Sequence, residues 1–243
     1  MKQTAHRPWP LPQGEPYMTM DWLELSFLHW SLDPQLLRPQ LPAGLELDTW
    51  EGQAWLGIVP FRMENVNPTH YPLPRIMSAF PELNLRTYVV ANGKPGVWFF
   101  SLEATNPLAV RTARAKFHLP YYDARIRHSM DKGVVSFRCR RVHRGAAELE
   151  LRVSYSGAGE TFQAEPGSLE HWLCERYCLY SADNRGGISR GDVHHPPWPL
   201  QQGRVEIEEN TVFRQLRLEL PEQPEHVLYS AGVSCVGWRP VEA

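Results

Sequence analysis

An Asn-Gly dipeptide at 92–93, flanked by two runs of alternating side chains, constrains the fold more than any other feature of the chain. Asn-Gly readily adopts a two-residue type I′ turn, whose two central residues both need positive φ. The turn predicts a hairpin that pairs Tyr88 with Val97 and, two residues further out, Arg86 with Phe99. The chain therefore contains at least one antiparallel strand pair with a defined register.

One face of this hairpin is predicted to be polar. Counted outward, the register pairs Asn84 with Ser101 and Glu82 with Glu103, and alternation places these side chains on one surface. Two directly opposed carboxyl groups repel each other, so Arg86, a bound cation or a raised pKa in one of them must compensate. Two interpretations stay open: a solvent-exposed face without further function, or a face that points into a cavity and binds a ligand. The polar face comprises Glu82, Asn84, Arg86, Tyr88, Ser101 and Glu103.

The other face of the hairpin is predicted to be apolar and to contact the core. A β-bulge at Pro95 would shift the register by one residue and move the side chains of one strand to the opposite face. The predicted core residues are Leu83, Leu85, Thr87, Val89, Trp98, Phe100 and Leu102.

Alternation predicts further strands. The run Glu148–Tyr155 alternates strictly and is expected to pair with Val134–Val142 across a turn at Arg144-Gly145. The remaining strand predictions are a hairpin of Leu45–Asp48 with Ala54–Val59 across a turn at Trp50–Gln53, and a strand over Leu216, Leu218 and Leu220.

Three helices are predicted from residues that cap a first turn. Many short strands with a few helices, in a chain of 243 residues, favour a mainly β fold that is closed or nearly closed, with helices covering it. Asp33-Pro34 begins a short helix that Pro39 ends, Asn106-Pro107 precedes a helix over Leu108–Phe117, and Ser168 caps a helix over Leu169–Tyr180.

Charge and composition limit the classes of protein to which the chain can belong. Lys and Arg number 25 against 27 Asp and Glu, so the formal charge is −2 and no global field attracts nucleic acid or membrane. No apolar run approaches the roughly 18 residues of a membrane span. Four cysteines in 243 residues indicate reduced thiols and predict a cytoplasmic protein. We expect one domain over 17–243 after a loose arm over 1–16, and homo-oligomerisation stays open.

Three further patterns have both a functional and a structural interpretation. The basic block over 111–144 could face nucleic acid or form an anion-attracting pocket rim, but its alternation favours a solvated strand face, so no nucleic-acid partner is expected. His171, Cys174 and Cys178 share one face of the predicted helix and could bind zinc, although buried thiols are favoured. His194-His195 could bind metal or transfer protons, whereas a plug at one end of a barrel is favoured.

Six segments spread over nearly the whole chain, from about Trp22 to Trp238, follow the pattern of a known family. They are Leu28–Trp30, Leu37–Asp48, Phe80–Val89, Gly96–Leu102, Leu119–Tyr122 and Glu175–Tyr180. In this order they resemble the YqjF-like family of uncharacterised bacterial proteins, which is similar in turn to acetoacetate decarboxylase. The resemblance implies a mainly β fold around a cone-shaped β-barrel with a small-acid pocket inside.

The signature of the decarboxylase is altered in this chain. It consists of an arginine, five intervening residues, and a proline followed by two lysines, the first of which forms a Schiff base. Arg114 and Pro120 match it, but Tyr121 and Tyr122 replace the lysines. A phenol cannot form an imine with a ketone, so the resemblance implies the fold without Schiff-base decarboxylation. The chain has only four lysines, Lys2, Lys94, Lys116 and Lys132.

These observations lead to two functional hypotheses. The first is a protein that binds a small organic anion, such as a keto-acid-like ligand, in the barrel pocket. Its chemistry would be lysine-independent acid/base catalysis of the lyase or isomerase type, for example enolisation, hydration or cyclisation. The second is a non-catalytic sensor or protein-interaction module. We expect no cofactor, no metal and no membrane partner.

The first hypothesis gives eight residues a role. Glu82 or Glu103 would act as acid or base, while tyrosine hydroxyls would donate hydrogen bonds to a carbonyl or enolate oxygen. Arginine would hold a carboxylate of the ligand, and short polar side chains would orient it. The catalytic candidates are Glu82, Glu103, Tyr121 and Tyr122, and the ligand-binding candidates are Asn84, Arg86, Ser101 and Arg114.

Overall fold

A computed structural model describes residues 4–243. Within that range the chain forms thirteen strands, four α-helices and two 3-10 helices. The strands are β1 (Met18–Leu32), β2 (Glu46–Leu47), β3 (Ala54–Pro68), β4 (Phe80–Ala91), β5 (Lys94–Ala104), β6 (Tyr121–Asp131), β7 (Val134–Arg141), β8 (Glu150–Phe162), β9 (Cys178–Ala182), β10 (Ile188–His194), β11 (Leu200–Asn210), β12 (His226–Gly237) and β13 (Val241–Glu242). The α-helices are α1 (Pro34–Leu37), α2 (Arg75–Ser78), α3 (Pro107–Phe117) and α4 (Leu169–Cys174), and the 3-10 helices are Arg38–Gln40 and Val212–Leu216. No helix in this part of the chain is both long enough and apolar enough to span a membrane.

The strands form one sheet that closes on itself, which confirms the predicted mainly β, closed architecture. One edge of β5 pairs with β4, and its other edge pairs in parallel with β9 and, further along, with β6. β12 pairs with β1 on one edge and with β11 and β10 on the other. Two rings of strands therefore share a wall of β12, β1, β3, β4 and β5. β9 and β10 complete one ring, and β6, β7, β8 and β11 complete the other.

The shared wall is buried on both faces, so its strands contain long apolar runs. In β3 every residue from Ala54 to Phe61 is buried. Phe27 and Val59 belong to one core cluster, whereas their neighbours Leu28 and Ile58 belong to a second. We call the interior that contains Phe27 the first interior and the one that contains Leu28 the second interior.

The predicted hairpin turn is confirmed. Asn92 and Gly93 both have positive φ, 49° and 69°. Tyr88 lies opposite Val97, and Arg86 lies opposite Phe99, as the two-residue loop requires.

A β-bulge changes the register directly beyond the pair of Arg86 with Phe99. Phe99 pairs with Arg86 but Ser101 pairs with Leu85, so Phe100 is the extra residue. The bulge lies at Phe100 and not at Pro95, where the sequence suggested one. A one-residue shift transfers every later side chain of β5 to the opposite face of the wall.

The single polar face predicted for the hairpin is therefore wrong. Asn84 lies opposite Leu102 instead of Ser101, and Glu82 lies opposite Ala104 instead of Glu103. Residues on both faces of the hairpin are buried, because the wall separates two interiors. The polar residues of β4 and those of β5 face different interiors.

All three predicted helix caps are confirmed, but the last helix is shorter than predicted. Asp33, Asn106 and Ser168 each accept hydrogen bonds from backbone N–H groups of the first turn. α4 ends at Cys174, and Cys178 begins β9. The helix predicted beyond Cys174 is wrong because β9 pairs with β5 and β10, and tertiary pairing outweighs helical periodicity.

The predicted pairing of β7 with β8 is confirmed, since Val135 lies opposite Tyr155. The turn at 50–53 is also present, but the strand before it does not pair with the strand after it. Leu47 of β2 lies opposite Val89 of β4. The hairpin predicted here is wrong because β4 already occupies the edge of β3.

The strand predicted over 216–220 is wrong. Val212–Leu216 is a 3-10 helix whose buried side chains cover the second interior, and Phe213 packs edge-on against Trp30 with ring centroids 4.9 Å apart. Leu216 is buried in this helix, and Leu218 and Leu220 pack against the same core, so the alternating leucines do not form one face of a strand.

The described part of the predicted arm, residues 4–16, contacts β10. The Arg7 side chain is buried, and its Nη1 donates a hydrogen bond to the Val193 carbonyl at 2.5 Å. Trp9 Nε1 donates to Asp192 Oδ1 at 3.0 Å. His6 Nε2 lies 3.0 Å from the carbonyl oxygen of His195. Residues 1–3 of the arm lie outside the described residues.

Candidate functional site

A cavity of about 330 Å³ occupies the first interior. Its walls come mainly from β1, β3, β4 and β5, with α3 beside the opening. Most of the lining is apolar, and aromatic rings are prominent in it. Polar side chains predicted as site residues enter this lining at four positions, Glu82, Asn84, Arg86 and Tyr121.

Glu82 and Tyr121 form the central contact of the site. The Tyr121 hydroxyl donates a hydrogen bond to Glu82 Oε2 at 2.9 Å. Tyr121 is the first residue of β6, and its pairing with Leu102 of β5 brings it beside the end of β4. With its amide oriented so that the nitrogen faces Glu82, Asn84, two residues along β4, donates to Glu82 Oε1 at 2.9 Å. Glu82 is 2% exposed, so these groups replace water as its partners.

Burial controls the charge of this group. Removal from water raises the pKa of Glu82 to about 8, and the charge of Glu103 across the wall adds to the increase. The hydrogen bonds from Tyr121 and Asn84 act in the opposite direction, because they stabilise the carboxylate. The pKa of Tyr121 is well above its usual value owing to burial and to Glu82. Glu82 is therefore a carboxylic acid at neutral pH and titrates just above it.

Arg86 is a cationic residue of the lining on the same strand as Glu82. Its Nη2 donates to the Leu173 carbonyl at 3.1 Å and to the Tyr88 hydroxyl at 3.3 Å. Within residues 4–243, no carboxylate lies within ion-pair distance of Arg86, and its buried Nε has no hydrogen-bond partner. An anionic group in the cavity would meet a guanidinium that has no carboxylate partner.

Glu103 and Ser101 do not join this group. Both are fully buried, and they face the second interior as a result of the bulge. Arg141 forms two hydrogen bonds to Glu103 Oε1, and Ser101 Oγ donates to Glu103 Oε2 at 3.3 Å. Gln215 Nε2 donates to Ser101 at 3.1 Å. Burial raises the pKa of Glu103 while Arg141 opposes the shift, so this is a structural ion pair beneath the wall.

Tyr122 and Arg114 also lie outside the cavity lining. Tyr122 alternates to the opposite side from Tyr121, and its ring lies 4.1 Å from the Arg141 guanidinium carbon. Arg114 is exposed on α3, where its Nη1 donates to the Tyr121 carbonyl at 2.7 Å. It positions the backbone of a cavity residue and has no contact with the cavity itself.

The histidine and cysteine candidates do not come together in one cluster. Cys178 lies in β9 and not on the helix with His171 and Cys174, and no cluster of three or more metal-ligating side chains occurs within residues 4–243. His195 lines the cavity with its ring stacked on Tyr177 at 4.8 Å. Burial lowers the pKa of His195, which favours its neutral form.

The sequence analysis missed the apolar lining. In β1 the cavity residues alternate as Met18, Met20 and Trp22, and then continue as Leu25 and Phe27. The alternation is interrupted between Trp22 and Leu25 at Glu24, which has a φ of 55°. Alternation over the first half of β1 was the available signal for these residues.

The described lining of the cavity includes no lysine. Lys116 is exposed on α3, and Lys94 and Lys132 adjoin hairpin turns. Lys2 lies outside the described residues. Tyr121 occupies the position at which the resemblance places the first lysine, and its hydroxyl contacts a carboxyl group.

The chain matches one family of uncharacterised proteins over most of its length. The model of the family DUF2071, described as an uncharacterized conserved protein, matches residues 19–234. The uncharacterized protein YqjF of Bacillus subtilis (strain 168) is 39% identical over 228 residues, which are 94% of this chain and 93% of that protein.

Solved structures of low sequence identity share the fold. Acetoacetate decarboxylase from Legionella pneumophila has a TM-score of 0.60 at 12% identity, covering 98% of this chain and 94% of that one. An acetoacetate decarboxylase-like enzyme from Sphingomonas wittichii RW1 has a TM-score of 0.59 at 13% identity, covering 98% of each chain. The enduracididine biosynthesis enzyme MppR, complexed with the condensation product of pyruvate and imidazole 4-carboxaldehyde, has a TM-score of 0.64 at 12% identity, covering 94% of this chain and 90% of that one.

Proposed function

The chain belongs to the DUF2071 family and has an acetoacetate decarboxylase-like fold, and we propose that it binds a small organic anion in the first interior and exchanges protons with it. The proposal treats 17–243 as one functional domain. MppR, which shares the fold, is complexed with pyruvate or with a product of pyruvate, so the fold can enclose a small keto acid.

The observation that supports the proposal most directly is the hydrogen bond between Tyr121 and Glu82 inside the cavity. A buried carboxyl group with a pKa near the ambient pH is suited to general acid and base catalysis. Arg86 supplies the opposite charge on the same face of β4, where it can hold a carboxylate by a bidentate contact.

The chemistry we propose is enolisation of a carbonyl compound. In its ionised form Glu82 removes a proton from the carbon beside the carbonyl group, and the C–H electron pair forms the carbon–carbon double bond while the carbonyl π electrons move to the oxygen. As Glu82 takes the proton, the Tyr121 hydroxyl breaks its hydrogen bond to Glu82 and donates instead to the developing oxyanion. Protonated Glu82 returns the proton in the reverse step. Hydration or cyclisation of such a ligand would use the same acid and the same donor.

Schiff-base decarboxylation is not part of the proposal. An imine needs a primary amine beside the bound carbonyl group, and tyrosine hydroxyls occupy the positions that correspond to the lysine pair of acetoacetate decarboxylase. The tyrosine that points into the cavity is hydrogen-bonded to Glu82.

Pyruvate and acetoacetate binding by calorimetry, together with exchange of their α-protons in D₂O by NMR, test the proposal. We expect wild-type protein to bind and exchange, Glu82→Gln to bind with exchange reduced at least about 100-fold, and Arg86→Met to lose binding. Arg140→Met, an exposed arginine on β7, is the matched control and should behave as wild type.

Three results would contradict the proposal in different ways. Exchange by Glu82→Gln at the wild-type rate would remove Glu82 from the chemistry. Binding by the wild type without any exchange would identify a non-catalytic sensor. Absence of binding to either acid would exclude these small keto acids as ligands.

A further inference from the structure

The cavity lining combines one polar patch with a much larger apolar surface. The polar patch consists of side chains on β4 and at the start of β6: Glu82, Asn84, Arg86 and Tyr121. Of the other polar lining residues, Asp192 accepts from Trp9 and Arg190. Arg176 pairs with Asp48, although its buried Nη2 has no hydrogen-bond partner. The patch around Glu82 is therefore the main polar region that a ligand meets.

Aromatic rings form a prominent part of the apolar surface. Trp22 and Trp198 are stacked with their planes 9° apart and ring centroids at 5.9 Å, and Phe27 packs against Trp198 at 5.2 Å. All three line the cavity, together with Phe61 and Phe99 of the shared wall. Such a surface is better covered by an apolar group than by water.

The cavity is larger than a keto acid of about three carbons requires. Its volume of 330 Å³ corresponds to about eleven water molecules at roughly 30 Å³ each, and pyruvate has about six non-hydrogen atoms. Cavities of about 300–1,000 Å³ usually hold ligands of larger size. A small acid at Glu82 would leave most of the aromatic wall in contact with water.

Part of the exposed lining of the cavity is also apolar. Leu73 and Met77, beside and in α2, and Leu108 of α3 belong to the lining. Leu73 is 36% exposed and Leu108 is 55% exposed. Apolar side chains that extend from the buried wall to the surface favour a ligand with an apolar body.

We propose that the ligand is an amphipathic carbonyl acid with an unbranched or aromatic body of about six to ten carbons. Its polar head lies among Glu82, Tyr121 and Arg86, and its body lies along the aromatic wall toward the opening. This inference rests on the proposed function and narrows its substrate class.

A homologous series of 2-oxo acids, from pyruvate to 2-oxodecanoate, tests the inference by calorimetry. Each methylene buried against the wall should raise the affinity about fourfold until the cavity is filled. We expect 2-oxooctanoate to bind at least about 100-fold more tightly than pyruvate. Equal affinities along the series would overturn the inference while leaving the proposed function intact.

A pair of variants on α3 separates filling of the cavity from a general effect of the substitution. Ala113 lines the cavity, whereas Ala115 is exposed and does not. We expect Ala113→Phe to reduce 2-oxooctanoate affinity at least about tenfold and pyruvate affinity by less than about twofold. Ala115→Phe should leave both unchanged. An equal loss of both acids in Ala113→Phe would contradict a body-binding role.

The neutral ketone 2-octanone distinguishes the two proposals further. If the ketone binds as tightly as 2-oxooctanoate, the apolar wall recognises the ligand but the anion requirement of the proposed function is wrong. If neither the ketone nor any acid of the series binds, both proposals are wrong.

Discussion

Glu103 lies opposite Leu83 and not opposite Glu82, so the two buried carboxyl groups of the hairpin face different interiors. Each is accommodated differently. Glu103 is paired with Arg141 and hydrogen-bonded by Ser101, whereas Glu82 has only neutral partners, Tyr121 and Asn84. A buried carboxyl group without a cation holds its proton, and this leaves Glu82 available for proton exchange.

The pH dependence of stability should reveal Glu82. Its pKa is raised from 4.5 to about 8 in the folded protein, so protonation of Glu82 favours the folded state. This contribution to the free energy of unfolding is complete below about pH 4.5 and is lost as the pH rises through about 8. The loss is at most about 5 kcal/mol. Urea unfolding between about pH 5 and 9 should therefore show a steeper decline for wild type than for Glu82→Gln. Glu160→Gln, which removes an exposed carboxyl group, should follow wild type, and parallel curves for all three proteins would contradict the assignment.

The two adjacent tyrosines should differ when each loses its hydroxyl. Tyr121→Phe removes a donor from Glu82, so we expect the pKa of Glu82 to rise further and the free energy of unfolding to fall by about 1–3 kcal/mol. No hydrogen bond to the Tyr122 hydroxyl occurs among residues 4–243, and Tyr122→Phe should cost less than about 0.5 kcal/mol. Urea unfolding measures both. Equal losses would mean that the hydrogen bond to Glu82 contributes nothing.

Loss of Arg141 should destabilise the fold through Glu103. Arg141→Met leaves a carboxyl group buried without its cation, and we expect a loss of about 3–5 kcal/mol in the free energy of unfolding. The exposed neighbour provides the control, since Arg140→Met should cost less than about 0.5 kcal/mol. The double variant Glu103→Leu with Arg141→Met removes both charges and should recover part of the lost free energy of unfolding. If the double variant were less stable than Arg141→Met, the unpaired carboxyl group would not be the cause of the loss.

The contact of β5 with β9 predicts an intolerant glycine. A Cβ atom at Gly96 would lie 2.7 Å from Cys178 Sγ and 2.8 Å from the Cys178 carbonyl oxygen, so the two strands would have to separate. Gly96→Ala should cost about 1–3 kcal/mol and lower Tm accordingly. At Gly237 the nearest atom to an added Cβ is 3.7 Å away, and Gly237→Ala should change Tm little. Similar Tm values for the two variants would show that β9 can move away.

Local chemistry made much of the fold predictable. Positive φ at Asn92 and Gly93 and the caps at Asp33, Asn106 and Ser168 are determined by a few neighbouring atoms, and the structure has all of them. The bulge at Phe100 has no such local signal. It occurs where the outer neighbour of β5 changes from β9 to β6, which depends on the far end of the chain.

The same distinction applies to the candidate site. Glu82, Asn84 and Arg86 share the cavity because β4 alternates regularly between them, and sequence alone grouped them. Glu103 and Ser101 could not be placed, because one extra residue in β5 transfers both to the other face. The apolar lining of the cavity, aromatic and aliphatic, required knowledge of which strands close the sheet.

The extra residue at Phe100 has a consequence for how such a chain can diverge. The shared wall separates the first interior from the second. Gain or loss of one codon in β5 would therefore move the side chains beyond the insertion or deletion from one interior to the other, while the strand kept its place in the sheet. Deletion of Phe100 would turn the carboxyl group of Glu103 toward Glu82 and leave Arg141 without its partner. The polarity of this cavity can therefore change in one genetic event, and not only by the gradual accumulation of substitutions.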